Sequence, residues 1–260
     1  MSFLSRHIGP DADDLATMLR AVGAEDLDQL IDRAVPESIR FRDTLALPEP
    51  LDEPEALAAL RRVAARNTVM RQLIGQGYHE TVTPAAIRRN ILENPGFYTS
   101  YTPYQPEISQ GRLELLLTFQ NAVIDLTGMD VANASLLDES SAVAEAVLMM
   151  RRANRRSKST RVLVDSRSLP QTLAVLTGRT RAAGIELVTA DLGDPQEVAR
   201  ALSGGGDFGV VVAQIGADGD VLDTTAVVDA AHEAGALVTV STDLLALTML
   251  RSPGETGADI

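Results

Sequence analysis

The run Gly209-Val-Val-Val-Ala-Gln214 restricts this chain more than any other feature. An unbroken apolar stretch rich in β-branched residues reads as a strand, and a strand without polar alternation must be covered on both faces. Helices are available for that cover. Val143, Ala146, Val147 and Met150 recur at helical spacing and predict a helix over 140–155. A strand over 162–165, a helix over 169–183 and a strand over 185–189 follow, then a shorter helix over 195–202. Beyond the apolar strand, the turn Gly216-Ala-Asp-Gly-Asp220 leads to a helix over 225–234, and Gly235 precedes a strand over 237–241. Such alternation predicts an α/β fold with a mostly parallel sheet sandwiched by helices and joined by right-handed crossovers.

The first 95 residues read differently, as helices only. Asp11 can cap a helix carrying Leu15, Met18, Leu19 and Val22 and stopped by Gly23. A second helix over 26–34 ends before Pro36, and Pro54 suits the first turn of a third, with Leu57, Leu60 and Val63 at helical spacing. Pro48 and Pro50 make 42–52 a stiff, extended linker. Thr83-Pro84 opens a helix through Ile87 and Ile91 that Asn94-Pro95-Gly96 ends, and Leu113 to Thr127 form one long helix closed by Gly128. The expected division is a helical N-terminal region, 1–95, and an α/β domain, 96–260. Ala258 to Ile260 read as the first residues of a further strand, so the α/β domain is expected to be incomplete, truncated at its C-terminus, whether by artificial truncation or as a piece of a longer polypeptide.

A net charge of −13 argues against a duplex nucleic-acid partner, which needs a basic face. The basic run from Arg151 to Arg161 fits a helix end, where cations complement the dipole. No apolar run reaches the ~20 residues of a membrane span, and the start lacks a secretory pattern. Cysteine is absent, so disulfide and thiolate chemistry are excluded, and a cytoplasmic location is expected. His7, His79 and His232 are too widely separated for a local ligand set, so no metal site is expected. Gly204-Gly-Gly206 lacks the Lys-Ser/Thr of a phosphate loop.

Chemistry concentrates in 98–112. Tyr98, Tyr101 and Tyr104 lie within seven residues, and Pro103 and Pro106 hold the backbone extended. Phenols on a stiff loop suit a pocket wall, where they stack or donate a hydrogen bond, and equally a loop packed on its domain by its aromatics. Glu107 and Arg112 can pair with each other, or Arg112 can bind a carboxylate in fork geometry. Arg6 and His7 form a second candidate, an N-terminal pair able to reach a site with His as acid or base, beside the plainer role of leading into the turn at Gly9-Pro10. His79 with Glu80 reads as a polar pair before a helix cap.

Several of these runs resemble a known family. Arg6-His-Ile-Gly-Pro10, Gly77-Tyr-His-Glu-Thr81, Asn90-Ile-Leu-Glu-Asn-Pro95, Tyr101-Thr-Pro-Tyr-Gln-Pro-Glu-Ile-Ser-Gln-Gly-Arg112, Asn133-Ala-Ser-Leu-Leu-Asp-Glu139 and Ser241-Thr-Asp-Leu-Leu-Ala-Leu247 are similar to the N-terminal half of the P-protein of the glycine cleavage system, the pyridoxal-phosphate-dependent glycine decarboxylase. The resemblance implies fold type I and two homologous halves, in one chain or two subunits. It implies that pyridoxal phosphate is held covalently by a lysine of the C-terminal half, and that glycine is decarboxylated and its aminomethyl group passed to the lipoyl arm of the H-protein. The implied partners are the C-terminal half or subunit, lipoylated H-protein and glycine, within an oligomer. This half would complete the active site through Tyr101, Tyr104, Arg6, His7, Glu107 and Arg112.

Asp243 falls where fold-type-I enzymes place the aspartate that neutralises the ring nitrogen, and 138–141 where they hold the phosphate on a helix N-terminus. Here that helix start carries Asp138 and Glu139, which repel a phosphate, so no cofactor binding is expected in this chain and Asp243 reads as a relic or a helix cap. The one lysine, Lys158, lies in an Arg/Ser-rich stretch unsuited to a cofactor lysine. Either this half has lost its lysine or the sequence ends before it. Two rival readings stand beside this one: a structural or docking subunit without catalytic side chains, and another fold-type-I enzyme acting on small amino acids.

Overall fold

The computed structural model describes residues 7–98 and 106–260, with the backbone alone over 106–112. It divides into two compact units, Met1–Arg71 and Gln72–Ile260. The first holds three capped helices. Asp11 accepts from Asp13 N and Asp14 N, both at 2.9 Å, at the start of α1, Ala12–Ala21. Gly23 in the left-handed region (φ +70°) follows α1, where an L side chain would be strained. Asp26 accepts from Gln29 N at 2.8 Å to open α2, Leu27–Ala34. Asp52 and Glu55 exchange backbone bonds of 2.9 Å at the start of α3, Glu53–Ala64, a reciprocal cap that satisfies two orphan amides.

In the second unit, a short helical turn, Ala85–Ile87, runs into a π-helical turn, Arg88–Leu92. The expected α-helix is therefore widened, with Glu93 N bonding back to Arg88 O at 3.0 Å. The long helix α4, Pro106–Thr127, ends at Gly128 (φ +67°) as its sequence predicts. The two compact units meet at 71/72, and within the second Gln76 N donates to Ala217 O at 2.9 Å, which ties this segment to the sheet.

Four parallel strands form the sheet: β1 Arg161–Asp165, β2 Glu186–Ala190, β3 Asp207–Ala213 and β4 Leu237–Ser241, in the order β2-β1-β3-β4. Leu163 registers with Val210 and Val210 with Val238. Alternate side chains point to opposite faces, except at the irregularity where β3 carries one extra residue, Phe208, against β1. On one face Val162, Val164, Phe208 and Val211 pack under α5, Glu139–Ala153, and α6, Pro170–Ala182. On the other, Leu163, Val210, Val212 and Val238 pack under α7, Pro195–Leu202, and α8, Thr225–Glu233. Every β3 residue is buried, as its unbroken apolar pattern requires. Each fully buried valine there contributes roughly 1.5–3 kcal/mol of transfer free energy.

Polar ties close this core. Asn154, just past α5, donates to Phe208 O at 3.0 Å and Gly235 O at 2.9 Å. Beside β4, Ile260 N donates to Val238 O at 3.1 Å and Val240 N to Ile260 O at 2.9 Å. No described helix is long and apolar enough to cross a membrane.

Candidate functional site at the C-terminal edge of the sheet

β1 and β3 are neighbours, yet the helices that follow them, α6 and α8, cover opposite faces. The connections diverge at the carboxyl ends of these two strands, which is where open α/β sheets leave a crevice for ligands. A cleft of about 670 Å³ lies there, built from the ends of β3 and β4, the loop after β1, the first turns of α5 and α6, and the segment 75–79.

A charge pair behind its walls, outside the lining, ties the loops together. Asp165, fully buried at the end of β1, accepts from Ala213 N at 3.2 Å, Arg167 N at 3.0 Å and Arg167 Nη2 at 2.9 Å. Arg167 donates in turn to Ala213 O at 3.1 Å, and its own carbonyl accepts Ala217 N at 2.8 Å. Burial works against the Arg167 charge, but Asp165, Asp191 and Asp218 together hold its guanidinium above the ordinary range. The loops after β1 and β3 are thus locked to each other. Past β4, Gln214 N donates to Ser241 O at 3.0 Å, Thr242 Oγ1 bonds the Gln214 side chain, and Gln214 Nε2 donates to Arg251 O at 2.9 Å.

A strap crosses the mouth. Gly75, Gln76 and Gly77 are consecutive residues at positive φ (68°, 56° and 84°). The Gln76 conformation is uncommon for a side-chain-bearing residue, and its amide bond to Ala217 O holds it there. The strap carries His79 to within 3.7 Å of Asp243 (Nε2 to Oδ2). Asp243 Oδ1 also accepts Leu245 N at 2.8 Å, so this aspartate caps the turn after β4 while facing the cleft.

At α5 one orphan amide of the helix N-terminus is taken, since Asp138 Oδ1 accepts Ser141 N at 2.7 Å. Glu139 projects into the cleft, its Oε1 accepting the Ser241 hydroxyl at 2.8 Å. Neither Lys nor Arg is among the cleft's lining residues. Lys158 precedes β1, at the opposite edge of the sheet, about 16 Å away along five residues of strand. The phosphate and imine-forming aldehyde of the cofactor associated with this fold need an anion cradle and an amine. This cleft presents carboxylates and no amine, and the group does not fit it.

Of the residues singled out in the sequence, Arg6, Tyr101 and Tyr104 lie outside the described residues. Glu107 and Arg112 fall in the first turns of α4, and nothing is described of their side chains. His7 is exposed and belongs to the first unit. His79 faces Asp243 at 3.7 Å, and Glu80 offers it only a backbone carbonyl at 3.5 Å. Ser168 and Gln171 line the cleft without having been singled out; two serines flanking a lone arginine after an apolar strand give no signal that separates a loop from a site.

Comparison with known proteins places this geometry in a family. The profile of the glycine cleavage system P-protein matches residues 5–260. The glycine dehydrogenase (decarboxylating) of Saccharophagus degradans is 50% identical over 99% of this chain, and that of Chromobacterium violaceum 52% identical over 99%. The chain spans 26% of the length of each, about a quarter. A crystal structure of glycine decarboxylase (P-protein) of the glycine cleavage system, in inhibitor-bound form, superposes with a TM-score of 0.81 at 33% identity, covering 97% of this chain and 56% of that one. The fold is that of the fold-type-I pyridoxal-phosphate enzymes. Motifs and backbone lead to the same assignment: the chain belongs to the glycine cleavage system P-protein family and represents part of its N-terminal half.

Proposed function

We propose that this chain is the part of a glycine decarboxylase that completes the active site without holding the cofactor. In this reading the whole enzyme removes carbon dioxide from glycine. Pyridoxal phosphate, bound covalently by a lysine of the C-terminal half, supplies the electron sink. The aminomethyl group passes to the lipoyl arm of the H-protein. Tyr101, Tyr104, Arg6, His7, Glu107 and Arg112 are the side chains this half would contribute, binding substrate and moving protons. Assembly with the C-terminal half and a cytoplasmic location belong to the same reading.

One observation carries the proposal. The cleft at the sheet's switch point holds Glu139, at the helix start, where a phosphate-binding enzyme needs donors, and the one lysine of this sequence lies at the other edge. A member of this family built so must obtain its covalent centre from elsewhere. The names of the relatives, glycine dehydrogenase (decarboxylating), supply the reaction.

The test is reconstitution. Release of labelled carbon dioxide from carboxyl-labelled glycine is measured for this chain alone, for a C-terminal half, and for the two together. Activity is expected only in the mixture. Tyr101→Phe with Tyr104→Phe in the reconstituted enzyme is expected to lower turnover roughly tenfold or more, the scale of a lost proton-transfer group. Full turnover by the double variant would leave this half a scaffold only.

A further inference from the structure

The amino-terminal edge of the sheet, at the far ends of the strands from the cleft, carries a basic ridge. Residues 151–161 hold six of the chain's 23 Lys and Arg and none of its 36 Asp and Glu. Helices α5 and α6 cover one face of the sheet, pack against each other, and end at this edge, just ahead of β1 and β2. Arg179 and Arg181, in the last turn of α6, thereby adjoin the run that follows α5. Arg152, Arg155, Arg156, Lys158, Arg179 and Arg181 are exposed, and none has an ion pair among the described residues. Every other cation from 128 onward is engaged: Arg151 lies over the Phe208 ring at 5.6 Å, Arg161 pairs with Asp207, Arg167 with Asp165 and Arg200 with Glu197, and Arg251 donates to Glu255 O. Glu186, the exposed acid of this corner, acts on Arg161.

Helix ends account for only part of this charge. Arg152, Arg179 and Arg181 complement the dipoles of α5 and α6, an effect that falls off within the last turn. Arg155, Arg156 and Lys158 lie beyond Ala153, where α5 ends. The loop that holds them is fixed in place. Asn154 anchors it to β3 and to Gly235, Ser157 N donates to Asn154 Oδ1 at 3.3 Å, Ser159 N to Ser157 Oγ at 3.2 Å and Arg161 N to Ser159 Oγ at 3.0 Å. With these amides engaged, the loop offers a small anion no backbone cradle. It offers a nucleic-acid base no stacking platform either, since Phe208 is fully buried. What remains is an array of like charges that repel one another and whose guanidinium forks match carboxylates.

We propose that this edge is a docking surface for an acidic protein segment, a short run of Asp and Glu on another polypeptide. Its carboxylates pair with Arg152, Arg155 and Arg156 beside α5 and with Arg179 and Arg181 beside α6. A long polyanion is a poorer occupant, because the chain's net charge of −13 repels whatever extends past the ridge. The surface lies at the opposite edge from the cleft, so the inference goes beyond the decarboxylase reading and does not rest on it.

Fluorescence anisotropy of labelled deca-glutamate and labelled oligoadenylate, each titrated with the 260-residue chain, tests it. Deca-glutamate is expected to bind with a Kd on the order of 10 μM at ~50 mM salt and about tenfold more weakly at ~300 mM, as screening sets in. Arg152→Glu with Arg155→Glu and Arg156→Glu is expected to abolish measurable binding, and each single substitution to weaken it about threefold. Arg61→Glu with Arg62→Glu and Arg66→Glu makes the same change of net charge at exposed arginines of the first unit, and is expected to alter affinity by less than about twofold. Absence of saturable deca-glutamate binding, equal losses in the two triple variants, or tighter binding of oligoadenylate than of deca-glutamate would overturn the proposal. So would a homodimer in sedimentation that the ridge variant alone dissociates, since a second copy would then be the occupant.

Discussion

The Ser241 hydroxyl, at the end of β4, donates to Glu139 Oε1 in the first turn of α5 at 2.8 Å, across 102 positions of sequence. That bond commits a carboxylate to the place where this fold offers a helix N-terminus to an anion. Together with Lys158 at the far edge, it predicts that the chain forms no stoichiometric adduct with pyridoxal phosphate. Borohydride reduction followed by intact mass is expected to show unmodified chain at equimolar cofactor. Full conversion to a reduced adduct at Lys158 would contradict the placement of that lysine.

The link between Asp165 and Arg167 holds the loops that form the cleft. Asp165 is fully buried and Arg167 largely so, with its side chain 14% exposed. Arg167→Ala strands a buried carboxylate and is expected to cost about 3–5 kcal/mol in urea unfolding. Replacing both residues by apolar ones of similar volume, Asp165→Leu with Arg167→Met, is expected to cost less than the single change, because no uncompensated charge remains. A double variant as unstable as the sum of its singles would show that the two residues act independently.

Two glycines separate a rigid clash from a soft one. A Cβ on Gly254 would lie 2.1 Å from Gly128 O, a backbone atom fixed by the end of α4. A Cβ on Gly209 would meet Met150 Sδ at 2.6 Å and Cε at 2.7 Å, the flexible end of an unbranched side chain. Gly254→Ala is therefore expected to destabilise by roughly 3 kcal/mol or more and Gly209→Ala by about 1–3 kcal/mol, the range for overpacking. Thermal midpoints of the two variants measure the order, and Met150→Ala is expected to rescue Gly209→Ala in part and Gly254→Ala not at all.

Periodicity and punctuation make the sheet domain legible. Helix α7 and strand β4 have the bounds their sequence predicts, because Pro195 and Gly235 mark their starts by local backbone chemistry. That the strands are parallel follows from the alternation; their order does not. The π-helical turn at Arg88–Leu92 was not legible, since side chains at helical spacing do not distinguish a five-residue from a four-residue bond. The cleft was legible only in part. Asp138, Glu139 and Asp243 stand out by their place in a recognised pattern, whereas the Gln76 conformation and the His79–Asp243 pair depend on loops brought together by the sheet. Pair distances across such separations follow from topology, which no local window contains.

Acid stability offers the last test. The Ser252 amide and hydroxyl donate to Glu255 Oε2 at 2.9 and 3.0 Å and, with Arg251, hold its carboxyl below the ordinary 4.5. The Thr225 hydroxyl and amide likewise depress Asp223 below 3.8. A carboxyl depressed in the folded state releases its proton more readily there than when unfolded. Its contribution is therefore complete above the unfolded value and is lost as pH falls through the folded one. The window lies below about 4.5 for Glu255 and below about 3.8 for Asp223. Both groups are exposed, so solvent screening keeps the effect small. The thermal midpoint is expected to fall with acidification below that point, and Glu255→Gln with Thr225→Ala is expected to flatten the fall without altering the plateau's independence of pH near neutrality. An acid limb of unchanged slope in the double variant would assign it to other carboxylates of the chain.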